Sequence, residues 1–179
     1  MHMRKGEKYT SAMRQELILK SLKEEQRPIT GSEFAKKTNV SRQVIVQDVS
    51  ILKAKNEPVI ATSQGYMYIK KPTLEAAHKL VVACKHSSDQ TKEELTIIVD
   101  HGVTVKDVTV EHPVYGDLTA SLMVSNRHEV EQFINRIHDS KASYLSILTE
   151  GVHMHTLEAD SKEKIDAACK DLQAAGILL

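Results

Sequence analysis

The chain has 179 residues, with 24 Lys+Arg balanced by 24 Asp+Glu, 41% hydrophobic residues and no Trp. That length holds one medium domain or two small ones, and the apolar content excludes wholesale disorder. No apolar run approaches the ~18–20 residues that cross a bilayer. The opening stretch MHMRKGEKYTSAMRQ also lacks the apolar segment of a secretory signal, so the sequence predicts a cytoplasmic protein with no membrane partner. Cys84 and Cys169 stand far apart and outside any CxxC spacing, which argues against a disulfide framework and a cysteine-only zinc site.

The zero net charge hides two opposite halves. Cut at Lys71-Pro72, residues 1–71 carry 14 Lys+Arg against 7 Asp+Glu, and residues 72–179 carry 10 against 17. Such asymmetry predicts a basic nucleic-acid-binding domain over 1–71 and an acidic domain with another task over 72–179.

In the basic half, Met13, Leu17, Ile18 and Leu22 recur at helical spacing, predicting a helix from Ser11 to about Glu25 that Arg27-Pro28 ends. Thr30 and Glu33 form a capping-box pattern opening a short helix that buries Phe34 and Ala35. Thr38-Asn39-Val40 is the turn, and Ser41 caps a third helix running to about Asn56. Ile45, Val49 and Leu52 share one side of that helix, leaving Arg42, Gln43, Val46, Gln47 and Ser50 on the other. Residues 59–62 and 66–69, joined through Gly65, read as a two-stranded hairpin.

Three helices and a hairpin in that order predict a winged helix-turn-helix. Arg42, Gln43 and Gln47 supply the paired hydrogen bonds that read guanine and adenine edges, and Val46 suits a thymine methyl. Ser41 stands at the start of this helix, and Lys53, with Lys36 and Lys37, neutralises phosphates. The segment Ser41-Arg-Gln-Val-Ile-Val-Gln-Asp-Val-Ser-Ile-Leu-Lys resembles the recognition helix of winged-helix regulators related to the biotin repressor.

The acidic half reads as strand (80–84), helix (through Glu94 to Val99, opened by a Ser87…Gln90 cap), strand (103–111), strand (118–124), helix, strands and helix. The alternation of 103–111 breaks near Lys106-Asp107. Asn126…Glu129 caps the middle helix, whose buried face is Val130, Phe133, Ile134 and Ile137. Asp160…Glu163 caps the last helix, with Ile165, Ala168, Cys169 and Leu172 inside. The class is α+β: after the winged helix, a sandwich of one mostly antiparallel sheet covered by helices on one side.

His153 and His155, two apart on a strand, project from the same face. With His86 before a helix and Glu94 inside it, they make a His3Glu set for one divalent transition metal per subunit: zinc, nickel, cobalt or ferrous iron. Cys84, two residues before His86, is either a rival ligand or a buried core thiol. His2, His78, His101, His128 and His138 read as surface residues.

The order of Lys85-His86, Lys92-Glu-Glu-Leu95, Val110-Glu-His-Pro-Val-Tyr-Gly116 and Gly151-Val-His-Met-His-Thr-Leu-Glu158 behind a winged helix resembles the niacin-responsive transcriptional repressors, over residues 10–179. The C-terminal part of that family is called the three-histidine (3H) domain. The resemblance implies repression of niacin uptake, salvage and NAD biosynthesis genes, with nicotinic acid as co-repressor. It also implies a metal held by His86, Glu94, His153 and His155, and an effector contact at His112 with Tyr115. A pseudo-palindromic DNA operator read by a homodimer completes the expectation. The competing readings are a metal-responsive repressor with no organic effector and a metal-dependent hydrolase. No HExxH, GxSxG or GxxxxGK[ST] motif supports the latter.

Overall fold

The computed structural model describes residues 9–25, 27–69 and 78–179. The chain divides into two units, residues 1–71 and 72–179, and the predicted boundary at Lys71-Pro72 lies outside the described residues, as does His2.

In the first unit, α1 (Ser11–Glu24), α2 (Gly31–Thr38) and α3 (Arg42–Ala54) precede a hairpin of β1 (Val59–Thr62) and β2 (Gly65–Tyr68). The ends of the helices follow from local chemistry. The Thr10 hydroxyl accepts the Met13 N–H at α1. At α2 the Thr30 hydroxyl accepts the Glu33 N–H at 3.1 Å, and the Glu33 carboxylate accepts the Thr30 N–H at 2.7 Å, a complete capping box. Asn39 closes α2 in the left-handed region at φ 54°, which turns the chain sharply into α3. Ile18, Leu22, Phe34, Ile45, Val49, Leu52 and Val59 form one buried cluster among the three helices and the hairpin. The hairpin is tied back by Ile29 and Tyr66, which exchange main-chain hydrogen bonds of 3.0 and 2.8 Å. Gly65 permits that approach: at φ +135° a Cβ would lie 2.7 Å from the Ile29 carbonyl oxygen.

The second unit runs β3 (His78–Lys85), α4 (Thr91–Asp100), β4 (Thr104–His112), β5 (Gly116–Val124), α5 (Arg127–Ser140), β6 (Val152–Ala159) and α6 (Lys162–Ala174). The sheet order is β3-β6-β4-β5, and each neighbouring pair is antiparallel. Val82, Leu157, Val105 and Leu122 of the sheet share a core with Leu95 and Ile98 of α4, Val130 of α5, and Ile165, Ala168 and Leu172 of α6. The break in alternation at Lys106-Asp107 is a register shift between Val105 and Asp107 in the pairing of β4 with β5.

Several local expectations are corrected. Ser87 does not cap α4: its hydroxyl turns to the Asp89 carboxylate at 3.3 Å, residues 88–90 form a single 3-10 turn, and α4 starts at Thr91. Asp160 does not cap α6, because Lys164 takes its carboxylate at 2.8 Å; Ser161 occupies the cap position. On α5 only Val130 is fully buried, and Phe133, Ile134 and Ile137 are half-buried. Residues 145–149, an apolar stretch in the part read as strands between the last two helices, form a 3-10 helix. The sequence also gives no sign that Ile177–Leu179 fold back along β3, where Lys85 N–H donates to the Ile177 carbonyl and Leu179 N–H to that of Ala83.

Candidate functional site

On α4 the buried positions are Thr91, Glu94, Leu95, Ile98 and Val99, spaced as the inward stripe of a helix. A carboxylate therefore points into the core, where Glu94 is 1% exposed. An isolated buried carboxylate costs several kcal/mol or more, so it needs compensation. Three imidazoles supply it. Along β6 alternate residues face inward, bringing His153 and His155 to the α4 side, and His86 follows directly on β3. His86 Nε2 lies 2.8 Å from Glu94 Oε2; His153 Nε2 lies 3.1 and 3.3 Å from Oε1 and Oε2; His155 Nε2 lies 3.4 Å from Oε1. Neighbouring rings pack edge to face, with centroids 4.9 Å apart.

Each ring is aimed by its other nitrogen. Nδ1–H of His86 donates to the Ser87 carbonyl at 2.7 Å, that of His153 to Gly151 at 2.9 Å, and that of His155 to Asp107 at 2.6 Å. A carbonyl only accepts, so all three Nδ1 atoms carry hydrogen and all three Nε2 atoms converge on the carboxylate. This is how ligating histidines are oriented by outer-shell partners. The donor set and its orientation fit a divalent transition metal held by His86, Glu94, His153 and His155.

The electrostatics agree with a concentrated site. Burial by itself raises the Glu94 carboxyl, but hydrogen bonds from His153, His155 and His86 outweigh it and hold the group well below the ordinary carboxylate value. The hydrogen bond to Glu94 raises His86 against the opposing effect of burial. Burial lowers His155, yet Glu94 and the Asp107 carbonyl bring it above its ordinary value. Burial, with Glu94 nearby, pushes the Cys84 thiol strongly upward.

The orienting carbonyls of Ser87, Asp107 and Gly151 escape a reading of side chains, since any residue type offers a carbonyl. Only the phase break at Lys106-Asp107 and the glycine at 151 hint at them. The β4 irregularity lies where the Asp107 carbonyl meets His155, and the Asp107 side chain accepts the Thr156 N–H at 3.0 Å. Gly151, at φ +91°, has the His86 carbonyl oxygen where a Cβ would go.

His112 and Tyr115 lie at the β4–β5 turn. Their ring centroids are 4.9 Å apart, and His112 Nδ1 accepts the N–H groups of Val114 and Tyr115 at 3.2 and 3.3 Å. That leaves the neutral ring's proton on Nε2, as a donor. Tyr115 is 74% exposed. A cavity of about 630 Å³ opens beside His86, with Lys85, Ser87, Ser146, Ile147 and Gly151 in its wall. Neither His112 nor Tyr115 is among the residues lining it. His78, His128 and His138 are exposed, and His101 pairs with Asp171 at 2.8 Å.

On α3, Arg42, Gln43, Gln47, Ser50 and Lys53 are exposed, and Val46 is half-buried beside them. Ser41 is exposed and caps the helix, its hydroxyl accepting the Val44 N–H at 3.4 Å. The opposite side holds the buried Ile45, Asp48, Val49 and Leu52.

A helix-turn-helix with a polar, exposed third-helix face, in a chain whose second unit is built around a histidine-ringed carboxylate, defines the class: a DNA-binding transcription regulator with a second, separate domain. Residues 14–67 match the HTH domain and residues 79–179 the 3H domain. The chain is 55% identical over 173 residues to "Transcription repressor NadR" of Bacillus subtilis (strain 168), covering 96% of each chain. It is 36% identical over 162 residues to "Probable transcription repressor NiaR" of Thermotoga maritima, covering 90% of this chain and 91% of that one. The chain belongs to the NiaR-type family of transcription repressors, and it is a regulator and not an enzyme. Among the described residues no helix is long and apolar enough to cross a membrane.

Proposed function

We propose that this chain is a cytoplasmic repressor of niacin uptake, salvage and NAD biosynthesis genes, acting as a homodimer on a pseudo-palindromic operator with nicotinic acid as co-repressor. Arg42, Gln43, Val46 and Gln47 read base edges, while Ser41 and Lys53 contact the backbone. His86, Glu94, His153 and His155 hold one divalent transition metal, which supplies a Lewis-acidic position for the ring nitrogen or carboxylate of nicotinate. The Nε2–H of His112 and the Tyr115 hydroxyl are donors suited to a carboxylate.

The observation that carries the sensing role is the convergence of three main-chain-oriented imidazoles on Glu94 in a chain that matches transcription repressors over nearly its full length. Sensing requires that the effector bind the DNA-competent state more tightly, by ~1–3 kcal/mol for a typical coupling. The test is fluorescence anisotropy on labelled DNA from upstream of the chain's own gene, at fixed metal, with and without nicotinic acid. DNA affinity is expected to rise by about tenfold or more with nicotinic acid and much less with nicotinamide. Binding that ignores nicotinic acid but vanishes with chelator assigns the signal to the metal ion itself.

A further inference from the structure

We propose that Cys84 enters the metal-binding set as a thiolate, so that the centre is a mixed sulfur, nitrogen and oxygen site. The inference rests on the reading that this site holds a metal. Cys84 stands directly opposite His153 in the β3–β6 register, and both side chains are buried on the α4 side of the sheet. The thiol is 0% exposed. The Cys84 Sγ, a Glu94 carboxylate oxygen and a His153 ring nitrogen all lie within 4.8 Å of one another. The imidazoles are instead spread around both oxygens of Glu94, with His86 on Oε2, His155 on Oε1 and His153 across the two. The sulfur thus stands within reach of a carboxylate oxygen and an imidazole nitrogen that could share one ion with it.

A cysteine buried only for packing faces apolar neighbours. Cys84 does meet the core behind it, but its sulfur also faces a carboxylate and an imidazole. On coordination the S–H bond breaks, its electron pair goes to the ion, and the proton leaves to solvent. Thiolate is a soft donor, so its entry favours zinc over the harder divalent ions that a set of imidazoles and one carboxylate also accepts. Cys84 is in this sense a metal-specificity residue.

The experiment uses the full chain, stripped with chelator and reloaded with Co²⁺ alone. Wild type is expected to show visible ligand-field bands and an intense sulfur-to-cobalt charge-transfer band in the near ultraviolet. Because the chain has two cysteines, Cys169→Ser leaves Cys84 as the one thiol, and it is expected to keep that band. Cys84→Ser is expected to lose it, keep the ligand-field bands and bind Zn²⁺ about tenfold or more weakly in chelator competition. Ligand-field bands without a charge-transfer band in wild type, or loss of that band in Cys169→Ser, overturn the assignment of Cys84 and leave the His–Glu site standing. Absence of all cobalt bands in wild type overturns the metal reading beneath it. The Cys169→Ser result decides even where Cys84→Ser fails to fold.

Discussion

Gly151 and His86 are pressed together: the His86 N–H meets the Gly151 carbonyl at 3.4 Å, and the His86 carbonyl oxygen occupies the space a side chain at 151 would need. The same Gly151 carbonyl orients His153. One glycine therefore sets the positions of two of the three imidazoles. Gly151→Ala combines a left-handed φ with a main-chain clash and is expected to destabilise the second unit by about 1–3 kcal/mol. Its metal affinity should fall by about tenfold or more, because misaimed ligands bind poorly. Isothermal titration with Zn²⁺ and thermal melts check both.

Glu94 supplies the only carboxylate of the proposed ligand set, at the point where all three Nε2 atoms meet. Glu94→Gln preserves shape and removes the charge. Its Zn²⁺ affinity should drop by more than about 100-fold, exceeding the usual loss for an outer-shell change. Chelator competition measures it, and circular dichroism verifies the fold.

The same groups set a pH dependence. His86 and His155 are raised in the folded state, so their contribution is full below the ordinary histidine value of about 6.5 and is lost as pH rises through the raised values. Glu94 is depressed, so its contribution holds above the ordinary carboxylate value of about 4.3 and is lost as pH falls through the lowered one. Metal-free protein should therefore melt at lower temperature as pH rises above neutrality. Metal affinity should run the other way, increasing by about tenfold or more from about pH 6 to about pH 8, since the imidazoles must shed protons to coordinate.

Asp48 on the buried side of α3 is paired with Arg14 of α1 at 2.6 Å and accepts the Ser11 hydroxyl at 2.7 Å. Burial raises its carboxyl, and Arg14 and Ser11 more than reverse that. Arg14→Ala strands the charge and should destabilise the first unit by about 3 kcal/mol, the low end for a broken buried pair. A double variant with Asp48→Asn should recover part of that loss, which chemical denaturation will read.

On the exposed side of α3, Arg42→Ala and Gln47→Ala should each cost about 1–3 kcal/mol on the cognate operator and relax discrimination at one base pair. Lys53→Ala should weaken binding evenly across sequences and reduce the salt slope by about 1. Anisotropy titrations at several salt concentrations separate the two kinds of contact.

The helix ends of the first unit are legible in the sequence because caps are local: Thr30 with Glu33, and Ser41 before Arg42, act within one turn. The same logic misplaces the caps at Ser87 and Asp160, where Asp89 and Lys164 compete for the polar side chain. The side chains of the candidate centre are legible too, because a two-residue strand period and an inward helical stripe put His153, His155 and Glu94 on facing surfaces. Their aim is not. It depends on main-chain carbonyls of residues 87, 107 and 151, which carry no signature of residue type; those of 87 and 151 lie within two residues of the ring they orient, and that of 107 comes into range only when β4 and β6 pair. The return of residues 177–179 to β3 and the closeness of Cys84 to Glu94 have the same origin. Periodicity assigns a residue to a face, but the distance between two faces is set by register and by the packing of α4 on the sheet.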